Sequence, residues 1–257
     1  MKNIIAYKIT REINLNEITL AEKLKEFQYM DDENALLKTG WCNVDDRIGD
    51  SVLYKIGDNL IMRKKTGSKI IPAPVIKENV KKKEAELLES RKYEYITKQM
   101  RKTIKDEVVA ELCKTAFTKY SYTYVIINEK SGRVLVTESS INKAESALSL
   151  LRKTIGSLPI APMFCNVETD LTAMVLFTNE LPKNITLADS LEMKTLLGGS
   201  GKIKCSNEDI FSDNVKKHLD SHFVSKLAVN YYDALTLSIN ADGRLTFSAL
   251  SQMTKFI

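Results

Sequence analysis

The chain is poor in the residues that mark most recognisable chemistry. It has two histidines, four cysteines, one tryptophan, ten glycines and five prolines in 257 residues. With so little glycine and proline, no Gly/Ser linker or low-complexity tail stands out, and no internal repeat is visible. Cys42, Cys113, Cys165 and Cys205 never approach within three residues of one another, so the CxxC pair of a zinc site or redox dithiol is missing. Four reduced thiols packed as small hydrophobes are expected. No run approaches the roughly 18 apolar residues of a membrane helix, and the Ile4–Tyr7 run is too short for a signal-peptide core. The expectation is a soluble, cytoplasmic protein with no membrane partner. His218 and His222 share an i,i+4 spacing but have no visible third ligand, so no metal is expected. Gly198-Gly199-Ser200-Gly201 is not followed by GK[ST] and is no phosphate loop. With no nucleophile motif and no paired-carboxylate signature, no catalytic residue and no cofactor are assigned, and a non-enzyme is expected. Isolated acids are plentiful, however, so an unrecognised DNA-processing enzyme stays open as an alternative.

What is present begins with ordinary globular composition: 44% hydrophobic and 28% charged residues, enough for a sizeable core in one or two domains. The net charge of +5 is modest, but it is unevenly placed. Between Lys77 and Lys105 stand ten basic and five acidic residues, so this segment alone carries the excess of the whole chain. Such asymmetry suggests a polyanionic partner. Lys81, Lys82, Lys83, Arg91, Lys92, Lys98, Arg101 and Lys102 are the main candidates for contacting phosphates, which give affinity without sequence readout. The bland alternative is a solvated helix laced with i,i+4 pairs such as Lys82–Glu86. Lys202 and Lys204 alternate with Ile203 and Cys205 and share one face of a strand, either as a further contact or simply as its wet side. Arg63-Lys64-Lys65 and Lys69 could extend the basic surface. Tyr120, Tyr122 and Tyr124 also share a strand face; such a row can stack bases of a single strand, but it is expected to pack a core.

Periodicity places the elements. Residues 2–10 read as a strand, and Asn16 can cap a helix to about Met30 with Ile18, Leu20, Ala21, Leu24 and Phe27 on its apolar face. Gly40-Trp41 is expected to end that region. Ser51–Ile56 and Leu60–Arg63 form a hairpin through Gly57-Asp58-Asn59, and Pro72 and Pro74 make an extended stop. From Val75 about thirty residues are helical by propensity, but their apolar seam changes side, so the helix should break or change partner near Tyr93–Thr97. Asp106–Phe117 packs better. Tyr120–Asn128 and Arg133–Thr137 pair about Gly132. Asn142 is expected to cap a helix through Lys153 that turns Ala144, Ala147, Leu148 and Leu151 inward and stops at Gly156. A short helix near Asp170–Thr178 follows, and Leu187–Leu197 with Gly201–Cys205 reads as a hairpin. Ser212 then caps a helix to about Ser221, and strands Phe223–Asn230, Ala234–Ile239 and Arg244–Ser248 form a closing meander. Without a βαβ rhythm the class is α+β. Three regions are expected: 1–74 as the N-terminal α+β part of a central domain, 75–120 as a long charged helical arm, and 121–257 as an α+β remainder.

Several ordered segments resemble the bacterial recombination-associated RdgC family. They are Gly40-Trp41; Lys69-Ile-Ile-Pro-Ala-Pro-Val-Ile-Lys77; Lys105-Asp-Glu-Val108 with Ala116-Phe117 and Ser121; Ala144-Glu145 with Ala147–Lys153 and Gly156-Ser157-Leu158-Pro159; and Lys226-Leu227-Ala228. No one of them is a strong motif, but the ordered set, spanning about Tyr7 to Leu245, is specific. The resemblance implies a horseshoe-shaped subunit and a homodimer closing into a ring whose basic inner surface encircles double-stranded DNA without reading sequence. It also implies nucleoid association and functional antagonism of RecA filaments. Family members continue past the point where this chain stops, so a short or C-terminally incomplete member is expected, with ring closure open. After Lys202–Lys204 the family tends to be more basic than the Ser206-Asn207-Glu208-Asp209 found here. The alternative from another class is a protein-interaction module that docks a partner through the charged arm.

Overall fold

A computed structural model describes residues 3–247 except 14, 91–93, 165, 178, 179, 197, 198, 207–209, 211 and 233. The chain is α+β, as expected, and the register pairings described between its strands are antiparallel. It divides into two compact units. One comprises residues 16–54 and 62–124; the other comprises 1–15, 55–61 and 125–257.

The first unit starts with α1 (Glu17–Glu26). Asn16 caps it as its residue type predicts: its side chain accepts from the Ile18 and Thr19 amides at 3.0 and 3.2 Å. Leu20 and Leu24 are buried, but Ile18 faces solvent. The chain then crosses Trp41, whose amide donates to the Phe27 carbonyl and whose carbonyl accepts from Tyr29. Gly40-Trp41 is therefore not a terminator but part of strand β1 (Leu37–Cys42). Gly40 is there because the Tyr29 backbone lies against it: a Cβ would sit 2.5 Å from the Tyr29 nitrogen. A second strand, β2 (Asn59–Lys69), pairs with β1 from Cys42↔Arg63 to Leu37↔Ser68, and a third, β3 (Thr118–Asn128), neighbours β2. Short strand β4 (Leu53–Ile56) pairs with β2 through the Gly57-Asp58 turn, Gly57 at φ 58°.

Two helices follow β2. Helix α2 (Ala73–Glu89) begins just after Pro72, with Pro74 in its first turn where a missing N–H costs nothing. Helix α3 (Lys98–Thr115) is capped by Thr97, whose hydroxyl accepts from the Met100 amide at 3.2 Å. The expected break near residues 93–97 lies between them. No residue of α2 is buried, whereas α3 buries Ile104, Val108 and Cys113.

In the second unit the strand order runs from the end of β3 through β5 (Arg133–Val136), β6 (Asn3–Ile9), β7 (Arg244–Phe247), β8 (Leu235–Asn240) and β9 (His222–Tyr231) to β10 (Ile185–Thr195) and β11 (Lys202–Ser206); β12 (Ile160–Pro162) pairs with β6. Helix α4 (Ile141–Ile155) buries Ala144, Ala147, Leu148 and Leu151, the residues its periodicity selects, and Gly156 ends it at φ 85°. Its N-cap is Ser140, two residues before the expected Asn142, and that cap makes no side-chain hydrogen bond. Helix α5 (Glu168–Leu176) packs on β9, and its Leu171 and Val175 join Leu191, Met193, Cys205, Val224, Leu227 and Val229 in one apolar cluster. The helix expected after Ser212 is only α6 (Asp213–Lys216), continued by a 3-10 turn over Lys217–Asp220. Cys42, Cys113 and Cys205 are free thiols. Among the described residues no helix is long and apolar enough to cross a membrane.

Candidate nucleic-acid interface

The lysine-rich helices answer the first question a charge run raises, namely which cations are free. Lys83 is half-buried between α2 and α3, with its ammonium 3.3 Å from Glu107 and 3.2 Å from Glu111. The Glu111 hydrogen bond, then Glu107, hold its ammonium above the usual lysine range. Arg101 on α3 reaches back to Glu84 on α2 at 2.6 Å. These two cations tie the helices together. Lys82 pairs within its helix, as the solvated-helix alternative has it, but with Glu78 at 2.9 Å rather than with Glu86. That arrangement puts the acid one turn N-terminal to the base, the better orientation along a helix. Lys81, Lys98 and Lys102 are exposed, with no ion-pair partner within 4 Å among the described residues. Arg91 and Lys92 lie outside the described residues.

The second group sits on a sheet face in the other unit. Register pairs Lys194 with Lys202, Glu192 with Lys204, and Lys226 with Glu192. Since alternate residues of a strand point to opposite faces, all five share the side away from Leu191, Met193, Cys205 and Leu227, which are buried against α5. Lys202 and Lys204 thus do share a face, as their spacing requires, and Lys194 and Lys226 join them. Lys202 is held 2.5 Å from Glu192. Chiefly this hydrogen bond, then the surrounding positive charge of Lys202, Lys226 and Lys204, holds the Glu192 carboxyl below its usual range. A hollow of about 380 Å³ lies on this face, lined by four cations (Lys194, Lys202, Lys226 and Arg244), three carboxylates (Glu168, Glu192 and Asp242) and amide and hydroxyl side chains. Arg244 closes one side through Asp242 at 3.0 Å and the Ser139 carbonyl. The alternation of each strand by itself carries the signal for Lys194 and Lys226. Their meeting with Lys202 depends on strand register and on a bulge between Val224 and Lys226.

The tyrosine row departs from expectation. Thr123, Val125 and Ile127 are the buried side of β3, while Tyr120 and Tyr122 are 42% and 46% exposed. The row does not pack a core; it packs against cations. The Arg63 guanidinium lies 4.6 Å from the Tyr122 ring centre, and the Lys65 ammonium lies 4.4 Å from Tyr29 and 4.1 Å from Tyr120. Tyr29 and Tyr120 meet edge to face at 6.2 Å. Their hydroxyls both donate to Asp31, at 2.9 and 3.1 Å. These two bonds hold the Asp31 carboxyl below its usual range. Desolvation, then the Asp31 bond, pushes the Tyr29 hydroxyl up. Arg63-Lys64-Lys65 is therefore not a wholly open basic surface: Arg63 and Lys64 are buried, and Lys65 is partly buried between two rings.

His218 and His222 sit edge to face with ring centres 6.3 Å apart. Among the described residues no group of three or more His, Cys, Asp or Glu is arranged to hold a metal ion.

Residues 1–252 match the family model described as "Putative exonuclease, RdgC". Recombination-associated protein RdgC of Proteus mirabilis (strain HI4320) is 34% identical over 254 residues, covering 96% of this chain and 83% of the relative. The protein of the same name from Yersinia enterocolitica serotype O:8 / biotype 1B (strain NCTC 13174 / 8081) is 31% identical, with the same coverage. That of Yersinia pestis (strain Pestoides F) is 30% identical over 248 residues, covering 95% of this chain and 81% of the relative.

Proposed function

The chain belongs to the RdgC family of recombination-associated proteins, and from that premise we propose that it is a non-enzymatic protein that binds double-stranded DNA without reading its sequence. The observation that carries this reading is the lysine-bearing sheet face of Lys194, Lys202, Lys204 and Lys226, whose reverse side is buried against α5. A rigid strand platform with several ammonium groups suits a phosphate backbone, and none of its residues is arranged as a helix that could enter a major groove. The exposed Lys81, Lys98 and Lys102 on the helix pair supply further contacts. Following the family resemblance, the active form is a homodimer that clamps or encircles duplex DNA in the nucleoid and restrains RecA filaments.

The exonuclease in the family model's description favours a second reading, hydrolysis of DNA, and Glu168, Glu192 and Asp242 do line one hollow. Against it, Glu192 is already bound to Lys202. A magnesium-dependent cleavage assay on linear DNA separates the two; release of nucleotides would establish the second.

The test of the first reading is duplex binding as a function of salt. Replacing Lys202 and Lys204 together by glutamate should weaken binding and make the slope of log affinity against log salt shallower, by up to about 0.9 for each phosphate that is no longer neutralised. Unrelated duplexes of equal length should differ by less than about tenfold, far short of true sequence readers. An unchanged affinity and slope would remove this face from the interface.

A further inference from the structure

We propose that the tyrosine face of the β1-β2-β3 sheet is a separate site for unpaired bases, taking one or two nucleotides of single-stranded DNA by stacking on Tyr122 and Tyr120. The proposal rests on the DNA-binding reading above but uses different residues in the other unit.

Three observations converge. The first is exposure. Strand β3 buries Thr123 and leaves Tyr120 and Tyr122 outside, so large rings meet water where a polar residue would cost less. The second is order. Lys65 stands between Tyr29 and Tyr120, Arg63 lies against Tyr122, and Asp31 holds two of the hydroxyls. Rings fixed in this way lose little further freedom when a base stacks on them. Gly67 belongs to the same design: the Tyr29 hydroxyl end lies where its Cβ would be.

The third is an unmet hydrogen-bond donor. Arg63 is 8% exposed, its Nη2 is bound to Asp46 at 2.7 Å, and its Nε has no partner. A buried guanidinium nitrogen without an acceptor is uncommon. Arg63 lines a hollow of about 240 Å³ together with Tyr122, Tyr29, Lys65 and Asn43. A strand entering there would meet the Arg63 side chain while a base lies on an aromatic face, and a small shift of that side chain would bring its Nε to an acceptor. Asp31, Asp32 and Glu33 border the neighbouring hollow of about 200 Å³, so the strand's phosphates are expected on the Arg63 and Lys65 side.

Stacking on these rings requires a base out of its pair, because the bases of an intact duplex have both faces covered. The site therefore responds to ends, gaps and displaced strands, and leaves duplex binding to the lysine face. Loss of one stacking ring typically costs about five- to hundredfold in affinity for a single strand.

The experiment uses the full chain with three probes: a 20-residue oligothymidylate, a 20-base-pair duplex, and a single strand carrying one 2-aminopurine. Tyr122→Ala should weaken oligothymidylate binding by about five- to hundredfold and leave duplex affinity within about twofold; Tyr122→Phe, which keeps the ring, should stay near wild type on both. The 2-aminopurine should be quenched on binding to the unaltered protein, which reads stacking without any substitution. Equal losses on both DNAs, no loss on the single strand, or unquenched 2-aminopurine would each overturn the stacking site. Duplex binding that survives those results leaves the DNA-binding reading standing; if none of the three probes is bound, that reading falls as well.

Discussion

Reversing the charge of Lys81 and of Lys83 should have opposite consequences, although the two are separated by one residue. Lys81 is exposed, with no ion-pair partner among the described residues, so Lys81→Glu should leave stability within about 0.5 kcal/mol and act only on DNA binding. Lys83 is different. Its ammonium lies between Glu107 and Glu111 at 3.3 and 3.2 Å, and its side chain is 29% exposed. Both carboxylates are more exposed than the lysine, at 55% and 66%, so solvent screens the attraction and each pair is worth about 0.2–1 kcal/mol rather than an interior value. Removing the charge with Lys83→Met should thus cost about 0.4–2 kcal/mol, and Lys83→Glu somewhat more through repulsion of the same two acids. The effect should be local, because α2 buries no residue and is held by its packing on α3. Amide exchange should therefore speed up across Ala73–Glu89 in both Lys83 variants, with the β-sheet amides barely changed. A urea midpoint would register only part of this loss. If Lys83→Met left α2 exchange unchanged, the ion pairs would not be what attaches the helix. If Lys81→Glu loosened α2 equally, helix propensity or general charge, not the Glu107–Lys83–Glu111 bridge, would be responsible.

Two further outcomes are expected. Gly40→Ala should cost more than about 2 kcal/mol in chemical denaturation, because the new Cβ would meet Tyr29 backbone atoms at 2.5 Å and backbone cannot rotate away; near-wild-type stability would show that the Tyr29 segment is free to lift off the sheet. The Asp31 carboxyl is depressed in the folded state by the Tyr29 and Tyr120 hydroxyls, so its contribution is fully present above its ordinary value of 3.8 and is lost as pH falls through the lower folded value. Stability of the wild type should then fall more steeply below pH 4 than that of Asp31→Asn, and parallel acid-unfolding curves for the two would contradict the assignment.

Local chemistry is enough to read most of the elements. The Asn16 cap, the Gly57-Asp58 turn, the stop at Gly156 and the inward face of α4 each depend on residues within a turn or two of one another, so spacing alone decides them. The same holds for the interruption between α2 and α3, where the apolar seam changes side. Two readings that rest on residue type alone depart from the structure. Gly40-Trp41 reads as a terminator because glycine there serves a close approach by Tyr29, which no neighbour in sequence announces. Asn142 reads as a cap because the residue type fits, yet the cap lies two residues earlier at Ser140.

The candidate site divides along the same line. That Lys202 and Lys204 share a face, and that Tyr120 and Tyr122 do, follows from the two-residue period of a strand and from nothing else. Which side the tyrosines take is settled only in three dimensions: Val125 and Ile127 on the same strand are fully buried, and the exposed tyrosine side is flanked by Arg63, Lys65 and Asp31 from two other segments. Likewise the positive excess of residues 77–105 is visible by counting, but Lys83 and Arg101 commit their charge to acids 28 and 17 residues away. Lys194 and Lys226 enter the basic face only through the register of β10 and β9 and the bulge before Lys226. Composition and period are properties of a short stretch of chain, so reading along the residues establishes which are charged and which lie side by side. Burial and pairing arise between distant stretches, so which of those charges stay free of an ion pair is a property of the folded molecule.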